Sequence, residues 1–249
     1  MPDSRPWLTD HPGWASLSRL HPAFAEACAD YAQVPWRNGP LPAKVKAFVA
    51  LVACANATHL HGPGTEACLR LALRCGASRE ELAEVLALLS TVGIHAANVG
   101  VPVLLEVLEE RGLRSGPAAL NEHQQALKDG FVSNRGYWHP SWEGLLEFDP
   151  ALFEAYLAFS SVPWRQGVLE PKVKEFMYCA FDAAATHLYV PGLKLHMHNA
   201  LGYGASAEEL MEVLGITSLI GIHGALAAAP LLEQLLEPAT PHTQGANHA

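Results

Sequence analysis

Histidine is the residue type in this sequence best suited to carry out chemistry. Thirteen histidines are present, and two of them recur at a spacing of 128 residues, His59 as His187 and His95 as His223. His196 is a further histidine in the second half of the chain. An imidazole can donate or accept a proton near neutral pH, and its neutral form binds metal ions. The pattern leaves three interpretations open: hydrogen-bonded structural histidines, acid–base catalysts and metal ligands.

The metal interpretation would bring imidazoles from separate helices onto Zn or Fe, with a carboxylate completing the site. The residues that could do so are His187, His196 and His223, with Asp182 or Glu212. The common metal-binding spacings are absent, and the two imidazoles of His196-Met-His198 would point to different faces of a helix. We therefore expect no cofactor, with Zn or Fe as the alternative.

The five cysteines indicate neither a disulfide framework nor a redox motif. They are Cys28, Cys54, Cys68, Cys75 and Cys179, and no C-x-x-C occurs. An odd number without regular spacing argues against a secreted disulfide scaffold. We expect each thiol to be a small buried apolar group. The N-terminal residues lack the apolar core of a signal peptide, so we expect a cytoplasmic location.

A tandem duplication organises the chain. Val34-Pro-Trp-Arg37 returns as Val162-Pro-Trp-Arg165, and Gly93-Ile-His95 returns as Gly221-Ile-His223. The offset does not change between matched stretches, which indicates two copies of one unit. We place the first copy at residues 1–115, the second copy at 116–236 and a disordered tail at 237–249.

Each copy has the pattern of a helical unit. Residues 44–59 and 172–187 contain no Pro or Gly and are rich in apolar side chains, over a length that exceeds an ordinary strand. A Pro-Gly break, a short helix and a glycine follow in each copy. Ser-x-x-Glu capping boxes at Ser78 and Ser206 then begin the next helix. The sequence predicts an all-α protein in which two helical units pack together.

Composition and charge exclude several classes of protein. The 249 residues are 50% hydrophobic and 16% charged, which excludes a disordered chain. A net charge of −9 without runs of Lys or Arg argues against a nucleic-acid partner. Residues 85–105 and 213–232 carry no charge, but both contain Gly, Ser or Thr, and His. We expect them to be buried in the core or in a subunit interface, which predicts a homo-oligomer and no membrane.

The order of these features resembles the carboxymuconolactone decarboxylase family, related to the AhpD-like alkylhydroperoxidases. Residues 193–206, LKLHMHNALGYGAS, are similar to the family's histidine-bearing helix, glycine turn and capping box. The resemblance covers residues 41–108 and 169–235, and it implies an AhpD-like helical fold whose tandem members pack two copies as a pair. The peroxidase branch carries C-x-x-C-x-x-x-H, whose cysteine positions here hold Tyr189 and Gly192. The chain thus resembles a member without that motif, and thiol peroxidase activity is disfavoured.

The same resemblance suggests roles for individual residues. His196 matches the motif histidine, Lys174 matches a position that usually holds Arg, and the acidic partner of the family would fall on Gly192. Our hypothesis is that His196 delivers a proton and Lys174 binds the substrate carboxylate. His187 or Tyr189 would orient the substrate or stabilise its enolate.

Three further residues are candidates for contacting a substrate: His223, Trp164 and Arg165. Trp164 could instead anchor a loop, and Arg165 could instead form a surface ion pair. Together these features predict a cofactor-independent lyase, a decarboxylase of a small carboxylated lactone or keto acid. The alternatives are a non-catalytic ligand-binding or assembly module of the same fold and a His-ligated metalloenzyme.

Overall fold

The computed structural model describes residues 7–236, and within that range it contains helices and turns but no strand. The predicted all-α class is confirmed. The predicted disordered tail, 237–249, lies outside the described residues. The helices are α1 Trp14–Leu20, α2 Pro22–Asn38, α3 Ala43–Ala55, α4 Gly62–Arg74, α5 Arg79–Leu89, α6 His95–Glu110, α7 Glu122–Arg135, α8 Ser141–Phe148, α9 Pro150–Gln166, α10 Pro171–Ala183, α11 Val190–Gly202, α12 Ala207–Ser218 and α13 His223–Leu236, with 3₁₀ turns at Trp7–Asp10, Ser90–Ile94 and Leu219–Ile222.

The helices repeat as the sequence does. Helices α1 to α6 recur in order as α8 to α13, whereas α7 has no counterpart among the described residues and joins the two sets. Both predicted capping boxes form, since Ser78 and Ser206 each accept a hydrogen bond from the backbone N–H three residues later. Gly76 and Gly204, with φ of 80° and 82°, adopt the left-handed conformation that the preceding turn requires.

The two copies share one hydrophobic core, with α3 and α10 at its centre. Almost every side chain from Val45 to Cys54 and from Val173 to Asp182 is buried. Helix α3 packs against α10 and α12, while α10 packs against α3 and α5. Each copy therefore contributes helices to the surroundings of the other, which decides where the functional side chains meet.

Two buried ion pairs join the copies reciprocally. Lys46 Nζ lies 2.7 Å from Glu212 Oε1, and at the equivalent positions Lys174 Nζ lies 2.8 Å from Glu84 Oε1. All four side chains are 3–6% exposed. A buried charge is tolerated only beside an opposite charge with further hydrogen bonds. Glu84 Oε2 meets that need by accepting from the backbone N–H groups of Val168 and Leu169.

The central helices end earlier than the sequence predicted. Helix α10 ends at Ala183, so His187 lies in the following turn and not at a helix end, and α3 ends at Ala55 in the same way. The reason is a sharp reversal of the backbone. Leu188 adopts a φ of 52°, and the N–H of Tyr189 then donates to the carbonyl oxygen of Asp182 at 2.9 Å. This turn folds the chain back onto the end of its own helix.

The two uncharged stretches differ in burial. The helical segments Arg79–Glu110 and Ala207–Leu236 are long and apolar enough to cross a membrane by length and composition, with 22% and 56% of their most apolar windows buried. On α6 the side chains of Val99, Val103 and Val107 are about half exposed. Of the two places that we expected for the uncharged stretches, the core of the chain does not hold α6, and burial in a subunit interface stays a prediction.

Candidate functional site

The histidines gather into two clusters at equivalent places in the two copies. One, the second-copy site, lies where α10 and α11 meet and contains His187 and His196. The other, the first-copy site, contains His59 and His61. The repeated histidines at the ends of the 3₁₀ turns are exchanged between the copies. His95 joins the second-copy site, and His223, which we had assigned to that site, lies 2.8 Å from His59 in the first-copy site.

A cavity of about 60 Å³ adjoins the second-copy site. It can hold about four water-sized groups, which suits a small molecule. Seven aromatic side chains line it: Phe131, Tyr137, Trp142, Tyr156, Tyr178, Phe181 and Tyr189. Its polar wall includes His95, Asn98, Arg135, His139 and His196. The cavity therefore combines an apolar interior with a cation and several proton-bearing groups.

His196 lines this cavity and is held by a carboxylate behind it. Its Nδ1 lies 2.7 Å from Glu175 Oε2, and the Glu175 side chain is only 3% exposed. An ionised carboxylate can only accept a hydrogen bond, so whenever Glu175 is ionised, Nδ1 of His196 carries the proton and donates to Glu175 Oε2. This bond fixes the orientation of the ring and leaves Nε2 free of hydrogen bonds within residues 7–236. A histidine oriented in this way can move a proton at Nε2.

Arg135, at the end of α7, supplies the cation of the cavity. Its guanidinium donates to the carbonyl oxygen of Ser160 at 2.8 Å and lies 5.1 Å from the centroid of the Trp164 ring. Among the described residues no carboxylate lies within ion-pair distance of it. Its charge is thus available to an anionic ligand that enters the cavity.

The predicted substrate-binding residues are placed differently from one another. Tyr189 lines the cavity as expected. Trp164 lies behind the cavity wall and donates its indole N–H to the hydroxyl of Tyr178 at 3.0 Å. Burial raises the pKa of Tyr178 above its usual value, so its hydroxyl keeps its proton. The Arg165 side chain is exposed and does not line the cavity.

Lys174 does not reach the cavity, contrary to the role that we assigned it. Its ammonium pairs with Glu84 and donates to the carbonyl oxygen of Pro163. The N–H groups of Lys174 that would bind a substrate carboxylate therefore bind Glu84 and Pro163 instead. The correction follows from the packing of α10 against α5, which the sequence pattern could not reveal.

Beside the cavity, His95, His187 and Asp182 converge. His95 Nδ1 lies 2.7 Å from His187 Nε2, and Asp182 Oδ1 lies 3.5 Å and 4.0 Å from these two nitrogens. Asp182 is fully buried, and neither of its oxygens has a hydrogen-bond partner. Burial, with a smaller contribution from the Glu175 charge, raises the pKa of Asp182 to about 8. Burial likewise lowers the pKa of His95 to about 3 and keeps its ring neutral.

The first-copy site is built from the same scaffold but with different side chains. Cys54 stands where the second copy has Asp182, and Cys68 stands where it has His196. Their sulfur atoms lie 3.6 Å apart, a pairing that sequence analysis missed because the two residues belong to different helices. Burial raises the pKa of Cys68 well above its usual value, which argues against a reactive thiolate. Burial lowers the pKa of His223 to about 3.

Nitrogens of three histidines in the first-copy site, His59, His61 and His223, lie within 4.8 Å of one another and could hold a metal ion. His11 adds a fourth ring, with its Nε2 2.9 Å from His61 Nε2. Rings of His61 and His223 stack with centroids 4.1 Å apart. No residue of this cluster is acidic, so its chemistry differs from that of the second-copy site.

Both turns that carry the site histidines are strained. Leu60 and Leu188, which directly follow His59 and His187, are the only non-glycine residues with positive φ in the described range. Leucine pays a steric cost in this conformation, and such strain is concentrated at functional sites. The reversal lets residues on both sides of the leucine face one cluster.

Sequence reasoning missed Glu175 and Arg135 as site residues. Glu175 and Asp182 lie seven residues apart on α10, hence on one face of a largely buried helix, and this was a readable signal. Arg135 lies on the helix that joins the copies, and no motif marks it. The acidic partner of His196, which appeared to be lost at Gly192, is supplied from α10 by Glu175.

A larger groove of about 450 Å³ lies between the copies, lined by equivalent residues of both. Apolar side chains and the ion pairs Lys44–Glu81 and Lys172–Glu209 surround it. None of the described residues that line it is a histidine or a cysteine, so acid–base chemistry is better placed in the second-copy cavity.

Comparison with known proteins gives two matches. The model of the family described as "Carboxymuconolactone decarboxylase family" matches residues 150–234, which include most of the second-copy site. A crystal structure of a "putative gamma-carboxymuconolactone decarboxylase subunit" from Burkholderia xenovorans LB400 is 62% identical in sequence, with a TM-score of 0.89. That match covers 94% of this chain and 98% of the other. Among curated proteins no match was found.

Proposed function

The chain belongs to the carboxymuconolactone decarboxylase family, and we propose that it is a lyase that removes CO2 from a small carboxylated lactone or keto acid in the second-copy cavity. The observation that carries this proposal is the pairing of His196 with Glu175 in the wall of a small cavity that also contains Arg135. A decarboxylation needs a cation that binds the anionic substrate and an acid that protonates the carbon left after CO2 departs. His196 and Arg135 both line the cavity.

The proposed reaction assigns each step to a residue. Arg135 binds the anionic oxygen of the substrate and keeps its charge throughout. The bond between the carboxylate and its carbon breaks, CO2 leaves, and the electron pair passes into the neighbouring carbonyl to give an enolate. His196 in its imidazolium form then gives its Nε2 proton to the carbon, and Glu175 stabilises that form through Nδ1. The neutral hydroxyls of Tyr178 and Tyr189 face the enolate from the cavity wall.

Only the second copy has this set of groups. At the positions of Glu175, Asp182 and His196 the first copy has Ala47, Cys54 and Cys68. The resemblance placed the family's acidic partner at Gly192, which left His196 without a carboxylate. Glu175 provides one, which favours the enzyme over the assembly module.

The test begins with a panel of small carboxylic acids, keto acids and lactone acids. A compound that binds only the folded protein raises its melting temperature. With a substrate in hand, H196Q should lower kcat by about 10²- to 10⁴-fold, the usual contribution of a general acid, while binding persists. R135M should instead weaken binding. C68S, at the position equivalent to His196, is the matched control and should keep full turnover.

Two outcomes would overturn the proposal. Full turnover in H196Q would remove the histidine from the chemistry. A panel in which no compound raises the melting temperature would favour the assembly module.

We also propose that the protein is a homo-oligomer. Valine and leucine side chains on α6 and leucines near the end of α13 are exposed in the single chain: Val99, Val103, Leu104, Val107, Leu231, Leu232, Leu235 and Leu236. Apolar patches of this kind mark contact surfaces. Light scattering coupled to gel filtration should give a multiple of 26.8 kDa, and V103E in the middle of α6 should lower that mass. The sequence contains no run of Lys or Arg, which supports a protein without a nucleic-acid partner. The five cysteines are free, which supports a cytoplasmic location.

A further inference from the structure

We propose that His95, His187 and Asp182 form a binding site for a divalent first-row metal ion beside the cavity. The inference rests on the same second-copy site as the proposed function. It differs from our expectation of no cofactor. It also differs from the ligands that the sequence offered as the metal alternative, His187, His196 and His223. His223 lies in the first-copy site, and His196 is hydrogen-bonded to Glu175.

The first support is geometric. The three ligand atoms form a triangle with sides of 2.7, 3.5 and 4.0 Å between His95 Nδ1, His187 Nε2 and Asp182 Oδ1. The point equidistant from them lies inside the triangle, about 2.0 Å from each, and Zn–N and Zn–O bonds are about 2.0–2.2 Å. An ion could therefore bind all three atoms with side-chain shifts of a few tenths of an ångström.

The second support is the state of Asp182. Its carboxyl group is completely buried, and both oxygens lack a hydrogen-bond partner. A buried polar group without a partner is costly, so its persistence calls for an occupant that would satisfy it. The backbone is arranged to keep the carboxyl group there, since a Cβ on Gly192 would lie 2.4 Å from Asp182 Oδ2.

The third support is the chemistry of the donor set. Two neutral imidazoles and one carboxylate leave coordination positions open, as in catalytic zinc sites and in non-haem iron sites. His95 lines the cavity, so an ion bound to its Nδ1 lies at the cavity wall. There it would act as a Lewis acid that stabilises the negative oxygen of an enolate. This is the electron sink that the residues of the cavity supply only through neutral hydroxyls and Arg135.

The first-copy site provides an internal comparison. Its equivalent histidines, His59 and His223, are 2.8 Å apart, against 2.7 Å in the second-copy site, but Cys54 replaces the aspartate. A metal ion bound there by His59, His61 and His223 would have only imidazole ligands from these residues, whereas one bound at the proposed site would have two imidazoles and a carboxylate. Loss of binding in D182N but not in H61Q therefore separates the two sites.

The experiment uses the full chain after removal of metal by a chelator and titration with Co(II), followed by calorimetry and visible absorption. The variants are H187Q and D182N in the proposed site and H61Q in the first-copy site as the matched control. We expect wild type and H61Q to bind an ion with nitrogen and oxygen ligands and without thiolate-to-cobalt absorption. H187Q and D182N should weaken that binding by more than about 100-fold, because even the loss of a group behind a ligand costs about 10- to 100-fold.

Retention of this ion by H187Q, or its loss in H61Q, would overturn the proposal. Thiolate-to-cobalt absorption from all of the bound ion would do the same, because it would place the metal on Cys54 or Cys68. H187Q protects the experiment against misfolding, since His187 lies in a turn and is 16% exposed, whereas Asp182 is fully buried. Metal binding is measured without substrate, so failure here leaves the roles of His196 and Arg135 untouched.

Discussion

Replacement of Lys174 by methionine separates a structural role from a substrate-binding role. The lysine and Glu84 form an ion pair at 2.8 Å, and each side chain is 4% exposed. Removing one partner of such a pair costs about 3–5 kcal/mol, because the other charge is left buried without compensation. We therefore expect K174M to lower the free energy of unfolding by about 3–5 kcal/mol.

Denaturant unfolding, monitored by circular dichroism, measures this change. The dependence of the free energy of unfolding on denaturant concentration should stay the same. K46M breaks the equivalent pair with Glu212 and should cost about the same. The matched control is K172M, whose partner Glu209 is nearer to solvent, and it should cost less than about 1 kcal/mol. The double variant K174M/E84Q should lose less free energy of unfolding than the two single variants lose together, because it removes both charges.

The result that would refute this reasoning is specific. If K174M unfolds within about 1 kcal/mol of wild type and at the same time loses binding of a carboxylate ligand, then Lys174 faces the ligand and not Glu84. If it is destabilised and still binds the ligand, Arg135 remains the cation of the site.

Three further predictions follow from buried groups. In chelator-treated protein, burial holds the folded-state pKa of His223 at about 3, so the unfolded state takes up the proton first. Stability should fall as the pH drops below about 6.5, by about 2 kcal/mol between pH 7 and pH 5 from this residue. H223N should remove that part of the pH dependence. The control H198N, at an exposed histidine, should leave it unchanged. Equal pH dependence in H223N and wild type would contradict the assignment. G192A should destabilise the fold by about 1–3 kcal/mol, because its Cβ would meet Asp182 and Tyr189. G202A, with open space around it, is its control in urea unfolding, and equal stability of the two variants would count against the close packing. A thiol reagent should label Cys75 rapidly and the four buried cysteines only after unfolding. Fast labelling of two or more cysteines in the folded protein would contradict this burial.

The sequence by itself determined the fold class and the duplication. The constant offset of 128 residues revealed the duplication. The capping boxes at Ser78 and Ser206 and the glycines at 76 and 204 are local signals, and each forms the cap or turn that it predicts. His196 and Tyr189 were also found from the sequence, since they belong to the helix and turn that carry the resemblance. Local signals suffice here because helix caps and turns depend on neighbouring residues.

Only the tertiary structure decided which histidines share a site and which cation faces the cavity. The two copies exchange their last helices, so His95 of the first copy meets His187 of the second, and His223 makes the reverse move. Lys174 and Arg135 are both basic residues near the site, but packing buries one against Glu84 and leaves the other on the cavity wall. Such partners are separated by tens of residues or more in the sequence and meet through helix packing, which periodicity and spacing within one copy do not encode.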